Sequence, residues 1–315
     1  LKAEGVGIIY ISHKLKEIEE IGDRVTVLKD GTYVGTRNVE EITIDDMIHM
    51  MVGRDVENMY VSSQSDEEHE SNVIFSAHEL TRRDNRVRNV SFKLKKGEIL
   101  GFAGLIGSGR TELMDAIYGV APIKSGELVL YGEHFTPHSP YESLKRGMAY
   151  ITENRRSTGF FHNFSIKKNI AHSKHLKNSS GFGVVGVTHD REEDEWANRG
   201  CKMLDVKCAN INQSITELSG GNQQKVIIAR SLIAKSQFFI FDEPTRGIDV
   251  GAKSEIYKIM RQLSQEGKGV LMVSSELPEL LSNCDRIAVF NQGEIRAILP
   301  NHEATEEKIM AYATE

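Results

Sequence analysis

The sequence GLIGSGRT at residues 104–111 is the strongest indication of fold in this chain. It follows the apolar run ILGFA at residues 99–103 and precedes a helix-like segment at residues 112–118. A strand, a glycine loop and a helix in this order are typical of a phosphate-binding loop. The glycines let backbone N–H groups converge on an anion, and the helix N-terminus adds partial positive charge. Thr111 stands where such loops place a hydroxyl ligand for Mg²⁺, while Arg110 replaces the usual lysine. The alternative is a glycine-rich turn that binds no ligand.

Length and composition bound the class of protein. The 315 residues are enough for one to three domains, and 39% hydrophobic and 27% charged residues are ordinary for a globular protein. The net charge of -6 disfavours nucleic acid as the main partner, because nucleic-acid binding needs a basic face. No apolar run is long enough to cross a bilayer, so a membrane role requires a partner. Cys201, Cys208 and Cys284 lack metal or redox spacing, which predicts three buried thiols in a reducing cytosol.

Two distant stretches of the chain repeat each other. GIIYISHKL at residues 7–15 aligns without gaps to GVLMVSSEL at residues 269–277, an offset of 262 residues from position 7 to position 269. A period of that size indicates two copies of a whole domain. We therefore expect residues 1–61 to end a first copy whose front, on the order of 200 residues, is absent. Residues 62–72 are polar and predict a linker, and residues 73–315 then form a complete second copy.

A second decisive stretch, FFIFDEPT at residues 238–245, ends an apolar run in two carboxylates. An all-apolar strand is typical of a buried parallel sheet, and its carboxyl end lies at the edge where such sheets bind ligands. Asp242 would then hold Mg²⁺, and Glu243 would orient or deprotonate the water that attacks a phosphoryl group. The alternative is a pair of acids that caps the next helix.

A third stretch, LSGGNQQK at residues 218–225, precedes a helical pattern. Ser219 and the two glycines Gly220 and Gly221 can present a hydroxyl and N–H groups to a phosphate at the helix N-terminus. A plain helix cap by Ser219 is the alternative explanation.

Together these motifs resemble the ATP-binding cassette (ABC) ATPases. Residues 104–111 are similar to the Walker A motif, residues 218–225 to the signature, and Asp242 with Glu243 to the Walker B aspartate and the catalytic glutamate. The two fused copies and the signature ending NQQK resemble the ATP-binding subunits of bacterial monosaccharide importers of the ribose, galactose, xylose and allose type. The resemblance implies an α/β fold, which is a P-loop cassette with a mixed core sheet, an antiparallel β subdomain and a helical subdomain.

The resemblance also assigns roles to individual residues. Asp249 falls in the D-loop, Glu153 at the Q-loop position and Ser275 at the switch position, and His13 is the switch residue of the first copy. Implied catalytic residues are Glu243, His13 and Ser275, and implied metal ligands are Thr111 and Asp242. The nucleotide-binding residues that it implies are Gly104, Leu105, Gly107, Ser108, Gly109, Arg110, Thr111, Glu153, Ser219, Gly220, Gly221 and Asp249.

The resemblance implies a function in transport. We expect an ATPase that uses ATP and Mg²⁺ to power monosaccharide import, bound to membrane permease subunits on the cytoplasmic face of the plasma membrane. A periplasmic sugar-binding protein would complete the system, and nucleic acid is not expected. The alternatives are a soluble tandem ATPase that acts on ribosomes or DNA, and a non-catalytic nucleotide-binding or regulatory module.

The two ATP sites of such a protein would differ. In the family, ATP lies between the Walker motifs of one cassette and the signature of the other, so His13 and residues 219–221 would share one competent site. The other would be weakened by Arg110, Glu153 and Ser275, where the family usually has lysine, glutamine and histidine. We therefore expect this chain alone to be weakly active or inactive, and the first cassette to be its partner.

Three smaller expectations concern other parts of the chain. Residues 7–11 are apolar and predict a strand. Residues 81–90 lack the aromatic ring that the family often stacks on adenine, which leaves Arg82 or Arg83 to stack there, with a surface salt bridge as the alternative. The pair His172 and His175 lacks further ligands at metal-binding spacing and predicts ordinary surface side chains.

Overall fold

A computed structural model describes residues 1, 4–11, 15–29, 32–44, 46, 47, 50, 72–178 and 190–314. The chain divides into two compact units. The smaller unit comprises Leu1–Met59 with Ile248–Glu255, and the larger comprises Tyr60–Gly247 with Ile256–Glu315. The expected linker lies outside the described residues except at its last position, residue 72, so the boundaries at 61 and 73 stay a prediction.

The smaller unit contains helix α1 (Leu15–Ile21) and an antiparallel hairpin of β1 (Arg24–Lys29) and β2 (Thr32–Asn38). A 3₁₀ turn follows at Val39–Glu41. Alternating strand residues and the chain after the turn contribute a small core, which comprises Val25, Val27, Val39, Ile42 and Met47. The predicted strand at residues 7–11 is wrong, because these residues have no regular structure and no strand in the described part of the chain pairs with them.

The larger unit is built on a six-stranded sheet. Its strands, in spatial order, are β12 (Glu294–Pro300), β11 (Arg286–Asn291), β5 (Ile99–Gly104), β10 (Gly269–Val273), β9 (Phe238–Asp242) and β8 (Met148–Ile151). All neighbours are parallel except β12, which pairs antiparallel with β11. Strands β9 and β10 are buried at every position, as their continuous apolar sequences predict for a parallel sheet covered on both faces.

A second, antiparallel sheet packs on this one. Its order is β4 (Val90–Lys95), β3 (Val73–Arg82), β6 (Ile123–Leu130) and β7 (Glu133–His134). One apolar core contains buried residues of both sheets and of helix α2 (Arg110–Tyr118). Phe75 of β3 stacks on Phe238 of β9 with ring centroids 5.0 Å apart, so aromatic packing ties the two sheets together.

The described residues form seven further α-helices. They are α3 (Pro140–Lys145), α4 (Ile166–Asn178), α5 (Asp190–Met203), α6 (Gly220–Ile233), α7 (Val250–Gln265), α8 (Leu277–Asn283) and α9 (Glu306–Thr314). Helix α4 packs against both α5 and α6, which forms the helical region expected between the phosphate loop and β9. None of the helices described within residues 15–314 has the length and apolarity needed to cross a membrane.

The predicted fold class is confirmed: the larger unit is α/β, with a mixed core sheet, an antiparallel β portion and a helical portion. The expectation of three buried cysteines is wrong in part, because Cys284 is buried whereas Cys201 and Cys208 are half-buried.

Of the histidine pair, His172 packs its ring against Phe161 with ring centroids 4.5 Å apart. No group of three or more His, Cys, Asp or Glu side chains is placed to hold a metal in the part of the chain that the structure describes.

Candidate functional site

The glycine loop joins β5 to α2 as the sequence predicts. Gly104 ends the strand with φ 153° and Gly109 precedes the helix with φ 110°, both in the region that favours glycine. A Cβ at Gly104 would lie 2.4 Å from the carbonyl oxygen of Phe290, and one at Gly109 would lie 2.7 Å from that of Arg86. Glycine is therefore required at both positions by backbone conformation and by space.

Ser108 places a hydroxyl inside this loop. The residue is 7% exposed, and its Oγ is buried and has no hydrogen-bond partner in the part of the chain that the structure describes. A buried polar atom without a partner costs stability, and such atoms are rare in folded proteins. An anion at the N-terminus of α2 would supply the missing partner, since the first N–H groups of a helix favour negative charge.

Arg110, the residue that replaces lysine, is held by the end of a neighbouring strand. Its Nη1 donates to the backbone carbonyl oxygen of Ser274 at 2.6 Å, and the residue is 7% exposed. Burial lowers the pKa of Arg110 below its ordinary value, while the neighbouring carboxylates of Glu243 and Asp242 oppose that effect. The cation is thus part of the packing between the loop and the end of β10.

Asp242 ends β9 next to Thr111, the second residue of α2. The Thr111 hydroxyl donates to Asp242 Oδ1 at 3.3 Å, and the Tyr150 hydroxyl donates to Oδ2 at 3.0 Å. Burial raises the pKa of Asp242 to about 6, although hydrogen bonds from the two hydroxyls act in the opposite direction. A hydroxyl and a carboxylate oxygen side by side are ligands of the kind that Mg²⁺ takes, so the residues present fit the ion.

Tyr150 was not predicted as a site residue. It lies on β8, opposite Ile240 of β9 in the parallel register, and also contacts Asp115 Oδ1 of α2 at 3.3 Å. Burial raises its pKa, and the neighbouring carboxylates raise it further. The sequence signal was weak, because a tyrosine in the short strand MAYI is an ordinary strand residue until the strand order is known.

Glu243 has a strained backbone and a defined side chain. Its φ is 48°, which is uncommon for a residue with a side chain, and its N–H donates to the Val273 carbonyl oxygen at 2.9 Å. The Ser275 hydroxyl donates to Glu243 Oε2 at 3.2 Å. Burial raises the pKa of Glu243, while hydrogen bonds from Ser275 and the charge of Arg110 oppose the rise. The structure therefore brings the predicted catalytic glutamate and the switch serine into direct contact.

The signature residues begin α6. Ser219 has the backbone conformation of a helix cap, yet its hydroxyl does not cap a backbone N–H and instead accepts from Asn222 Nδ2 at 3.0 Å. The simple capping alternative thus does not describe the side chain. Gly220 and Gly221 are the first two residues of the helix, so their N–H groups lie in its first turn, where they have no partner within the helix.

The other predicted residues belong to several segments of the chain. Glu153 follows β8 and forms an ion pair with Arg246, which lies beyond Glu243. Asp249 belongs to the smaller unit, where its Oδ1 accepts from the N–H of Ala252 at 2.9 Å near the start of α7. His13 lies outside the described residues. Leu105 and Gly107 are exposed in the loop.

The proposed base-stacking residue Arg82 has other partners. Its Nε pairs with Asp84 at 3.2 Å and its Nη1 donates to the Glu112 carbonyl oxygen at 3.2 Å. The salt-bridge alternative therefore describes Arg82, while Arg83 is exposed and donates its backbone N–H to Pro122.

Comparison with known proteins agrees with this geometry. The ABC transporter family model matches residues 87–246, and the chain belongs to that family. It is 51% identical to the D-allose import ATP-binding protein AlsA of Escherichia coli, over 99% of this chain and 62% of that protein. It is 44% identical to a ribose import ATP-binding protein RbsA of Bacillus cereus, over 100% of this chain and 62% of that protein. The chain thus spans less than two thirds of the length of these relatives.

The solved structures share the fold at low sequence identity. The ADP conformation of MJ1267, an ATP-binding cassette of an ABC transporter, superposes with a TM-score of 0.63 at 19% identity. The superposition covers 77% of this chain and 95% of that one. This likeness supports the cassette architecture.

Proposed function

We propose that this chain is the ATP-binding and ATP-hydrolysing part of a monosaccharide importer. The observation that carries the proposal is the contact between Thr111 and Asp242 beside the buried, unpartnered Ser108 hydroxyl. Two oxygen ligands for a hard cation and an anion-binding helix N-terminus at one sheet edge fit a magnesium–nucleotide complex. The relatives at 51% and 44% identity are import ATP-binding proteins for allose and ribose, which supports the transport role.

Each residue then has a defined task. Ser108 and the N–H groups of residues 104–111 bind the phosphates, and Thr111 and Asp242 hold Mg²⁺, which supplies charge neutralisation during phosphoryl transfer. Glu243 orients the attacking water and accepts its proton, for which its carboxylate must be ionised and accessible. Tyr150 holds Asp242 in place through the hydrogen bond to Oδ2. Sugar specificity would belong to permease subunits and a periplasmic binding protein.

The site in this cassette would turn over slowly. A serine at position 275 cannot offer an imidazole to the γ-phosphate, and here its hydroxyl instead donates to Glu243. The Arg110 guanidinium is engaged by the Ser274 carbonyl and would have to leave it to reach a phosphate. We propose that residues 219–221 complete the competent site of a preceding cassette, together with His13, on the cytoplasmic face of the membrane.

Binding and turnover of ATP test this function directly. The purified chain should bind Mg²⁺–ATP in calorimetry, and Thr111→Ala should weaken binding at least about tenfold by removing a ligand of the metal. Thr136→Ala, at an exposed threonine after β7, is the matched control and should leave the affinity unchanged. An affinity that Thr111→Ala does not change would contradict the assignment of the site.

The proposed asymmetry has its own test. In the natural full-length protein, Arg110→Lys combined with Ser275→His should raise the steady-state ATPase rate. The two substitutions restore side chains that can stabilise negative charge on the γ-phosphate. The chain by itself should bind ATP with little phosphate release. Rapid hydrolysis by the unsubstituted chain would show that Arg110 and Ser275 do not disable the site. Binding without hydrolysis in every form would favour a regulatory nucleotide-binding module.

A further inference from the structure

Arg155 joins two loops of the site that no motif connects. It opens a π-helical turn, Arg155–Gly159, two residues after Glu153. Its Nη1 donates to the carbonyl oxygen of Arg246 at 3.0 Å and its Nη2 to that of Gly247 at 3.0 Å. Its Nε donates to Gln223 Oε1 at 3.3 Å. One guanidinium thus binds both the turn after Glu243 and the first turn of α6.

The Arg155 side chain lies close to Gly220 in the signature. A Cβ on Gly220 would lie 2.6 Å from Arg155 Nη2 and 3.2 Å from the carbonyl oxygen of Gly247. Gly220 does not have a positive φ, so its backbone conformation would tolerate other residues. A side chain at Gly220 would therefore displace the Arg155 guanidinium from the position that it has in this cassette.

Further hydrogen bonds fix the positions of the residues that accept from Arg155. Gln223 Nε2 donates to the carbonyl oxygen of Leu218 at 3.1 Å, which orients the Oε1 that Arg155 contacts. The Arg246 N–H donates to the carbonyl oxygen of Glu243 at 3.1 Å, and its side chain pairs with Glu153. A continuous chain of hydrogen bonds therefore runs from the signature helix through Arg155 to the backbone of Glu243.

General electrostatics does not account for this placement. The N-terminus of a helix carries partial positive charge and disfavours a cation nearby. Three acceptors within hydrogen-bond distance of one guanidinium do account for it, because arginine presents five donors in a rigid fork. A lysine at this position could not reach all three acceptors with the same geometry.

We propose that Arg155 is a positioning residue for ATP turnover, which keeps the turn after Glu243 and the first turn of α6 in one fixed arrangement. The proposal rests on the ATPase function proposed above. Arg155 acts through Glu243 and through the signature residues. Its loss would loosen both loops while the phosphate loop and the Thr111–Asp242 pair stay intact.

Amide hydrogen exchange in the nucleotide-free chain tests the structural part. Arg155→Lys and Arg155→Ala should speed exchange of the hydrogen-bonded amides of Glu243, Arg246 and Gln223 about tenfold, because charge-assisted hydrogen bonds to both loops are lost. The matched controls are Arg156→Lys and Arg156→Ala, at the adjacent arginine, and should change these rates less than about twofold. Equal rates in the Arg155 variants and the unsubstituted chain would overturn the proposal.

A double-substitution cycle isolates the contact with Gly220. Gly220→Ala should displace the guanidinium and speed exchange of the amides of Glu243 and Arg246 as Arg155→Ala does. In the Arg155→Ala background, Gly220→Ala should add nothing at those residues, because the two changes break the same contacts. Fully additive effects would show that Arg155 does not act through this contact. The mild Arg155→Lys variant keeps the test informative should Arg155→Ala fail to fold.

Turnover separates this proposal from the function on which it rests. In the natural full-length protein, Arg155→Lys should lower kcat about tenfold and leave the KM for ATP within about twofold. Free guanidinium should restore part of the rate of Arg155→Ala. Absence of turnover in the unsubstituted protein would overturn the ATPase function and with it this proposal. Turnover that Arg155→Lys leaves unchanged would overturn only the positioning role.

Discussion

Asp242 illustrates how burial sets the chemistry of a single side chain. It is fully buried, and the hydroxyls of Thr111 and Tyr150 donate to its two oxygens. Burial nevertheless raises its pKa from an ordinary value of 3.8 to about 6, so the folded chain holds a proton more tightly than the unfolded chain does. A cation bound between Thr111 and Asp242 would offset this cost. The buried Asp242 carboxylate therefore costs stability when no cation is bound.

This gives a prediction with a definite sign. Because the folded pKa is the higher one, the stabilising contribution of Asp242 is fully present below about pH 4 and is lost as the pH rises through about 6. Without Mg²⁺, Asp242→Asn should raise the free energy of unfolding at pH 7 by roughly 2–3 kcal/mol and by little near pH 4. Urea unfolding across that range measures the effect.

Asp285 provides the matched control. Its carboxylate accepts from Arg261 Nη1 at 2.9 Å and from the Ile99 N–H at 2.8 Å. Asp285→Asn should therefore lower the free energy of unfolding at pH 7 by about 1–3 kcal/mol, the opposite sign to Asp242→Asn. Losses of equal size in the two variants would contradict the account of Asp242.

Strand β5 is the element that places the site. It lies between β10 and β11 in the sheet, and its last residue, Gly104, leads directly into the glycine loop. One face of β5 packs so closely on α8 and the residue after it that a Cβ on Gly101 would lie 2.6 Å from Cys284 Sγ. It would also lie 3.1 Å from Leu280 Cδ2. The close approach of strand and helix therefore depends on a residue without a side chain.

Gly101→Ala should destabilise the larger unit. The added methyl must displace buried atoms of Cys284 and Leu280, which costs about 1–3 kcal/mol of unfolding free energy. Gly7→Ala is the control, because a Cβ there meets nothing within 4 Å. Cys284→Ala removes the closest atom and should restore part of the loss in the Gly101→Ala background. Chemical denaturation measures all four proteins, and equal stability of the two glycine variants would contradict the packing argument.

Over its whole length, the chain contains two compact units with cores of different size. The larger unit has an extensive core across its two sheets and α2, which includes the fully buried Leu113. Among its described residues, the smaller unit has a core of five buried side chains, one of which is Met47. Since buried apolar area supplies most of the stability, we expect the smaller unit to unfold first.

Two core truncations test this expectation. Met47→Ala and Leu113→Ala each remove a fully buried side chain and should each cost about 2–5 kcal/mol. Met47→Ala should shift only the transition at lower denaturant, and Leu113→Ala only the one at higher denaturant. Urea unfolding, monitored by hydrogen exchange at residues of each core, resolves the two unfolding transitions. One shared transition that both substitutions shift equally would contradict independent cores.

Sequence patterns predicted the elements that depend on neighbouring residues. The loop at residues 104–111, the buried strand that ends at Asp242 and the helix that begins after Ser219 were all found from local composition and spacing. The predicted strand at residues 7–11 was wrong, because an apolar run forms a strand only when another strand pairs with it. Tyr150 and Arg155 were missed as site residues for the same physical reason, since their partners lie far away in the chain.

Local patterns were enough to indicate the family, the cassette fold and the motifs. Glycine spacing, apolar runs and adjacent carboxylates can each be recognised in a short stretch of sequence. Only the folded chain shows which groups meet. In the folded chain, Arg110 donates a hydrogen bond to the Ser274 carbonyl oxygen, 164 residues away, and Tyr150 donates one to Asp242, 92 residues away. Strand order and helix packing bring these groups together, and neither is encoded in any single stretch of the chain.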